Sequence, residues 1–288
     1  HVVSIIGIFI ALAVGVVLGA GPLQRSINAG MNPSSSQAAS DPVLSAQAEA
    51  EAAGLKALAS STLSGSLTGT SVALVVLPGA SDDDVSAIRS TLTDAGASVV
   101  GRVTLTDNWQ STSMSQYRTT LATTLASHLQ SGAAKTASAD GVVGYSIVQV
   151  LTSTGAETDL LRQILTDKST PLMTIDEDPA GKATTLVAVG ARAQSTTSTQ
   201  ASVAASSDAW IGLGLAVGST SGVVVGDASS REAMISQIRT SGTAVTTVDS
   251  VGTTLASVDT ALALSTASSG ARAFGVGNGA QSVIPSSK

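Results

Sequence analysis

The feature that most constrains this chain is an uncharged apolar run close to its start. Between Val2 and Ala20 every residue is apolar or small except Ser4, and none is charged. At about 1.5 Å per residue, a helix over this run reaches roughly 28 Å, which is enough to cross the hydrocarbon core of a bilayer. We therefore expect residues 1–23 to form a single transmembrane anchor.

Two other interpretations of the run stay open. A cleavable secretory signal occupies the same position but usually has a shorter apolar core, and a helix buried in a globular protein has a similar composition. Pro22 and the serine-rich segment behind it favour the anchor. A basic segment before His1 would keep the N-terminus in the cytoplasm. We therefore expect a single pass through the cytoplasmic membrane, with the C-terminal domain on the extracytoplasmic side.

The smallest side chains of the run are regularly spaced. Gly7, Ala11, Gly15 and Gly19 recur at every fourth position and share one face of the predicted helix. Such a face lets a second membrane helix approach closely, so these residues are the candidate contact with a membrane partner. The alternative is that glycine and alanine are simply common in membrane helices.

Residues 24–69 separate the anchor from the rest of the chain and divide into two parts. The stretch 24–40 is rich in serine and small residues and is predicted to be a linker. Alanine dominates from Pro42 to Leu67, which predicts a helical stalk with a thin apolar seam. The seam consists of Leu44, Ala48, Ala52, Leu55 and Leu58. It can pair with another helix in a homo- or hetero-oligomer, as in a coiled coil, and an isolated solvated helix is the alternative.

Residues 70–288 have the pattern of an α/β domain. Val72–Leu77 is a continuous apolar run of strand length, typical of a strand that is buried on both faces of a parallel sheet. A helix is predicted to follow, with Ser81 as its cap and Asp82–Asp84 at the positive end of its dipole. Ser98–Leu105 then predicts the next strand.

A similar succession of strand, helix and strand recurs late in the chain. Gly222–Gly226 predicts a strand, Ser230 a helix cap and Ala244–Val248 the next strand. Together the two units predict a Rossmann-like, mostly parallel sheet flanked by helices. Further helices are predicted at Gln116–Gln130, Glu157–Leu165, Gln200–Leu215 and Thr254–Leu264, and further strands at Gly141–Val150, Leu172–Ile175, Thr185–Val189 and Ala271–Val276.

Composition restricts the classes of function. The formal net charge of −6 at pH 7 argues against nucleic acid as a partner. The chain contains no cysteine, which excludes a disulfide framework, a thiolate metal site and a cysteine nucleophile. Aromatic residues make up only 2% of the chain, so the core must consist largely of Val, Ile, Leu and Ala.

Candidate ligand-binding carboxylates occur in two acidic runs. Asp176, Glu177 and Asp178 could supply oxygen ligands to a divalent cation, but Pro179 beside them favours an exposed acidic turn. Asp82–Asp84 have the same two interpretations, and the helix dipole explains them without a metal. The same three carboxylates would repel a phosphate, which argues against a dinucleotide site in that turn.

Histidine and methionine offer no recognisable site. His128 lies beside the predicted helix stripe that includes Leu125, and we interpret it as a half-buried structural histidine. The methionines are scattered rather than grouped, so a thioether site for cuprous ion has no sequence support, and Met173 and Met234 are interpreted as core residues. No residue is assigned to catalysis, to a cofactor or to a metal.

Three stretches resemble a known family. They are HVVSIIGIFIALAVGVVLGAGPL at residues 1–23, VVLPGASDDDVSAIRSTLTDAGASVVGRVTLT at 75–106 and ALALSTASSGARAFGVGNGAQSVIP at 261–285. They look like the actinobacterial MctB-type copper transporter family. The resemblance implies a single-pass envelope protein, linked in some members to copper export or pore formation. In members of the SteB type it implies a role in cell separation, with a membrane partner and an influence on peptidoglycan hydrolases.

The leading hypothesis from the sequence is a non-enzymatic, membrane-anchored interaction protein. It would act in cell separation and in the control of peptidoglycan hydrolysis, through the anchor face and the stalk seam. Copper transport is the alternative function. An enzyme on a Rossmann-like scaffold is a third, because a fold alone permits many chemistries.

Overall fold

The computed structural model describes residues 42–193, 204–267 and 270–285. The predicted anchor, its face of Gly7, Ala11, Gly15 and Gly19, and the linker 24–40 lie outside the described residues. Of the helices within the described ranges, none has both the length and the apolar character that crossing a bilayer requires. The described residues divide into two units, 42–59 and those from 60 onwards, and the second is called the unit 60–288.

A single helix, α1, occupies Pro42–Leu63, the segment for which the sequence predicts a helical stalk. The predicted seam on this helix is mostly uncovered. Leu44 is 59% exposed and Leu58 42% exposed, Ala48 is exposed, and Ala52 and Leu55 are half-buried. The role of the seam in association stays a prediction.

The unit 60–288 is built on a seven-stranded sheet. Its strands are β1 Ser71–Val76, β2 Ser98–Leu105, β3 Met173–Glu177, β4 Thr185–Val189, β5 Val223–Val225, β6 Thr246–Val248 and β7 Arg272–Phe274. They are arranged in the order β3-β2-β1-β4-β5-β6-β7. All neighbours are parallel except β2 and β3, which pair antiparallel. The predicted mostly parallel sheet is therefore confirmed.

Helices connect the strands and cover both faces of the sheet. They are α2 Asp82–Asp94, α3 Asp107–Gln110, α4 Ser115–His128, α5 Gly132–Lys135, α6 Ala139–Thr152, α7 Ala156–Leu165, α8 Ser207–Gly218, α9 Met234–Thr240 and α10 Thr254–Ser265, with a 3-10 turn at Thr112–Met114. α2 begins as predicted, since Oγ of Ser81 accepts a hydrogen bond from the N–H of Asp83. The predicted cap of α9, Ser230, is wrong. Ala233 occupies the N-cap position, and no side chain caps this helix.

The pleat of the strands divides the core into two layers. On one face, Val75, Val103, Ala188 and Val224 join a large cluster with buried residues of α4, α6, α7, α8 and α9. The alternate residues of β1, such as Leu74, point to the other face. On that face α2 packs against α10, and α10 contacts β5 and β6.

The segment 141–150 is a helix and not the predicted strand. It forms most of α6, which packs against α4, α7 and α8, and nearly all its residues are buried. A helix that is covered on every side is apolar all round and loses its periodicity, so its valines imitate a buried strand. Glycine allows the close packing: a Cβ on Gly144 would lie 2.6 Å from the carbonyl oxygen of Gly212 in α8.

The segment after β7 folds back along the outer edge of the sheet. The N–H of Ala273 donates to Oε1 of Gln281 at 3.2 Å, and Gly275 donates to the carbonyl oxygen of Ser282 at 3.0 Å. Phe274 and Ser282 also form an isolated parallel bridge. The last strand is therefore partly covered by its own continuation.

Candidate functional site

An open cleft of about 510 Å³ lies where β4, β5, β6 and β7 end. Its polar lining comes from the residues directly after β5, β6 and β7, and consists of Asp227, Ser229, Asp249, Ser250, Gly277 and Asn278. Ligands of open α/β sheets commonly bind outside the carboxyl ends of the strands. This cleft is therefore the candidate functional site of the described part of the chain.

Asp249, directly after β6, organises one wall of the cleft. Its Oδ1 accepts hydrogen bonds from the N–H of Val276 at 2.8 Å and from Oγ of Ser250 at 2.7 Å. Its Oδ2 accepts from the N–H of Gly277 at 3.0 Å and from Nη1 of Arg239 at 2.9 Å. One buried carboxylate thus holds the segment after β7 in place.

Arg239 of α9 is the buried cation that balances Asp249. Its Nη1 also donates to the carbonyl oxygen of Asn278 at 2.8 Å and its Nη2 to that of Phe274 at 2.9 Å, while Nε donates to Oγ1 of Thr247 at 3.0 Å. Burial lowers the pKa of the Arg239 guanidinium, and Asp249 opposes that change. The pair ties together α9, β6 and the segment after β7.

Asp227, directly after β5, shapes the opposite side of the cleft. Its Oδ1 accepts the N–H of Ser229 at 2.8 Å and its Oδ2 accepts Oγ of Ser229 at 3.0 Å. An aspartate that accepts a hydrogen bond from the backbone N–H two residues later stabilises a turn. The turn at Asp227 therefore holds this carboxylate at the rim of the cleft.

A second buried carboxyl, Asp259 of α10, lies close enough to Asp249 to feel its charge. Asp259 is fully buried, and among the described residues neither of its carboxyl oxygens has a hydrogen-bond partner. Burial and then the charge of Asp249 raise the pKa of Asp259 to about 8. Both causes favour the protonated, neutral form of the side chain.

The two carboxylates that line the cleft are already engaged in hydrogen bonds within the protein. Asp249 already accepts four hydrogen bonds, and Asp227 is committed to its turn. A general base needs an oxygen or nitrogen that is free to take a proton from a substrate. The hydroxyl of Ser229 and the amide of Asn278 also line the cleft, and the Ser229 hydroxyl donates its proton to Asp227.

Comparison with models of protein families gives a match over residues 1–285 to the family described as copper transport outer membrane protein, MctB. The chain belongs to the MctB family. The resemblance inferred from the residues is thereby confirmed. A search among curated proteins finds no match.

Membership of the MctB family supports a copper-transport-related protein of the cell envelope. The family description names the outer membrane, whereas the sequence pattern predicts a single span of the cytoplasmic membrane. The predicted span lies outside the described residues, so the topology of this MctB-family chain stays a prediction.

Arginines pair with five of the six carboxylates in the two acidic runs that the sequence singles out. Asp82 pairs with Arg102 at 2.6 Å, and Asp84 receives both Nε and Nη2 of Arg192, at 2.7 and 2.5 Å. This bidentate contact raises the pKa of Arg192. It lies beside the end of β4, where the order of the strands reverses.

The carboxylates of the second acidic run also pair with arginines. Asp178 pairs with Arg162 at 2.5 Å, and this hydrogen bond, together with the N–H of Ala180, lowers the pKa of Asp178. Glu177 pairs with Arg89 at 2.5 Å. In the ranges 42–193, 204–267 and 270–285, no three His, Cys, Asp or Glu side chains are grouped closely enough to hold a metal ion.

The other candidate residues lie in the domain scaffold. His128 is half-buried, as predicted, and its Nδ1 lies 2.5 Å from Oε2 of Glu157. Met173 and Met234 are buried in the core cluster, as predicted. Arg118 is the residue that the stripe on α4 did not reveal: it is fully buried and donates to Asp140 at 2.5 Å.

The residues that line the cleft are different from those that the sequence nominated for contacts. The sequence does contain an indication of the cleft residues, because Asp227 and Asp249 follow directly after two predicted strands. Polar residues at the carboxyl ends of neighbouring parallel strands meet at one edge of the sheet. What the sequence does not give is the neighbour order of β4 to β7.

Proposed function

We propose that this MctB-family chain is an envelope component related to copper transport, in which the unit 60–288 acts as a binding and regulatory module and not as an enzyme. The observation that carries the proposal is the family match, because it runs from the predicted anchor to the segment after β7, residues 1–285. In this proposal the anchor crosses the cytoplasmic membrane once and holds the α/β domain on the extracytoplasmic side.

The methionine and histidine side chains discussed next are candidate copper ligands, and their surroundings support a regulatory role in copper transport. Softer ligands suit cuprous ion, yet Met173 and Met234 are buried in the core and the ring of His128 is paired with Glu157. Copper would then be the cargo of an assembly to which this chain belongs. The chain's own contribution would be contact with a membrane partner.

Copper handling is tested with a strain that lacks the gene. We expect the strain to accumulate copper and to grow more slowly in copper, and the intact gene to restore both properties. Zinc at matched toxicity is the control, because a general envelope defect would sensitise cells to both metals. Unchanged copper content and unchanged copper tolerance would rule out the copper-related function.

Association with a membrane partner rests on the predicted small-residue face and on the uncovered seam of α1. Changing Gly15 and Gly19 to leucine fills that face, so we expect less partner protein to be recovered with the full chain in mild detergent. Ile6→Leu and Val17→Leu, on the opposite side of the predicted helix, are the matched control. Equal recovery from both pairs of variants would remove the proposed face.

A second candidate function is the control of cell separation through a peptidoglycan hydrolase. It is favoured by the resemblance to SteB-type members and by the exposure of Leu44 and Leu58 on α1. The same extraction tests it, because a hydrolase should then be recovered with the chain. Cells that lack the gene should stay attached after division, and cells that separate normally would exclude this function.

A further inference from the structure

Asp259 occupies an unusual position under the cleft. A carboxyl group that is buried without a hydrogen-bond partner is costly to ionise and is normally avoided. Asp259 nevertheless lies in the middle of α10, fully buried, with both carboxyl oxygens unpartnered among the described residues. α10 packs against β6, and the charge of Asp249, which directly follows β6 and fixes the wall of the cleft, raises the pKa of Asp259.

The other charged groups on the elements packed against α10 lie on α2 and β7. α10 packs against α2, β5 and β6, and β7 approaches it through Arg272, whose guanidinium donates to the carbonyl oxygens of Ala263 and Thr266. β5 and β6 contain no ionisable residue. The charged residues of α2 are Asp82, Asp83, Asp84, Arg89 and Asp94. Of these, Asp84 is buried and is neutralised by Arg192.

We propose that Asp259 is a proton-controlled latch of the cleft: while neutral it leaves the Asp249–Arg239 pair free to hold residues 275–278, and loss of its proton loosens them. Release of the proton to solvent places a second negative charge near Asp249. The two carboxylates then repel each other in a medium that screens charge weakly, which strains the hydrogen bonds that Asp249 accepts.

The contacts that would loosen are defined. Asp249 holds the N–H groups of Val276 and Gly277, and Arg239 holds the carbonyl oxygens of Phe274 and Asn278. These four contacts fix one wall of the cleft. The latch therefore acts on the shape of the cleft and leaves the sheet itself intact.

The test is hydrogen exchange of the full chain in mild detergent, followed at the peptide level between about pH 6 and 9. Protection of residues 275–278, corrected for the intrinsic pH dependence of exchange, should fall about tenfold above pH 8. Asp259→Asn keeps the shape and cannot ionise, so its protection should not change. Asp167→Asn removes an exposed carboxylate and should behave as the unaltered protein.

Two further measurements keep the outcome decisive. Asp259→Leu should also lose the pH step, and it replaces Asp259→Asn if that variant does not fold. In the unaltered protein, the infrared band of a protonated carboxyl group should disappear near pH 8. The latch is refuted if residues 275–278 show the same pH dependence with and without Asp259, or if the band disappears near pH 4.

Discussion

A Cβ atom on residue 275 would lie 2.1 Å from Oδ1 of Asp249, so only glycine fits at position 275 beside the Asp249 carboxylate. Gly275 also has a φ of 122°, a backbone conformation that residues with a side chain rarely adopt. The N–H groups of Val276 and Gly277, which follow directly, both donate to the Asp249 carboxylate. The glycine thus brings the backbone close enough for the carboxylate to be satisfied.

Gly275→Ala should lower the free energy of unfolding by about 2 to 4 kcal/mol, because it adds a steric clash to a strained backbone. Gly270→Ala is the matched control, since its φ is 116° and a Cβ there meets no atom within 4 Å. The difference between the two variants in urea unfolding isolates the clash with Asp249. Equal losses of unfolding free energy in the two variants would show that the clash with Asp249 does not affect stability.

Gly212→Ala should disturb the packing of α8 on α6. A Cβ on Gly212 would lie 2.4 Å from the carbonyl carbon of Asp140, and overpacking of this kind costs about 1 to 3 kcal/mol. Gly214→Ala, on the same helix, meets its nearest atom at 3.5 Å and should be neutral or stabilising. Melting temperatures of the two variants, measured side by side, check this prediction.

The Arg192–Asp84 contact should respond differently to the loss of each partner. Asp84 is 4% exposed and Arg192 53% exposed. Arg192→Gln leaves a buried carboxylate without its cation, whereas Asp84→Asn leaves only a solvated arginine. We expect Arg192→Gln to be the more destabilising by about 1 to 2 kcal/mol. The opposite order in urea unfolding would mean that Asp84 is satisfied without Arg192.

The pH dependence of stability should carry the signature of Asp259. In the unfolded chain its pKa is near the ordinary value of about 3.9, while in the folded protein it is about 8. The folded state therefore binds one more proton between these values. The contribution of Asp259 to the free energy of unfolding is therefore largest below about pH 4. It is lost as the pH rises towards 8, at up to about 1.4 kcal/mol per pH unit.

Comparison of the unaltered protein with Asp259→Asn between about pH 5 and 8 isolates this slope. The lowered pKa of Asp178 acts in the opposite direction, but mainly near pH 4 and equally in both proteins. The free energy of unfolding should fall with pH in the unaltered protein and stay flatter in the variant. Parallel curves would contradict a raised pKa for Asp259.

Much of the fold is predictable from the sequence because its strands are strongly apolar. Val72–Leu77 and Thr185–Val189 both form strands where the pattern places them, and Ser81 caps α2 as its position before three aspartates suggests. These features depend on local chemistry. The strand prediction for residues 141–150 is wrong because the helix there is covered on all sides, which removes the periodic pattern of apolar residues.

The candidate site is less predictable because its geometry depends on contacts distant in the chain. Arg239 and Asp249 lie ten residues apart, but the carbonyl oxygen of Asn278 that Arg239 also holds is 39 residues away from it. A buried aspartate in the middle of a helix, such as Asp259, looks in the sequence like a solvated one. The packing of α10 on α2, β5 and β6 buries Asp259 and favours its neutral form.

The return of the chain along the outer edge of β7 has a practical consequence for preparing shortened versions of this protein. Ser282 and Gln281 cover that edge, and residues between them and Phe274 donate backbone N–H groups to the Asp249 carboxylate. A version trimmed at Phe274 would bare an unpaired strand edge, which invites aggregation. Truncations intended for crystallisation should therefore retain everything through Pro285, and purification tags at this end need a spacer.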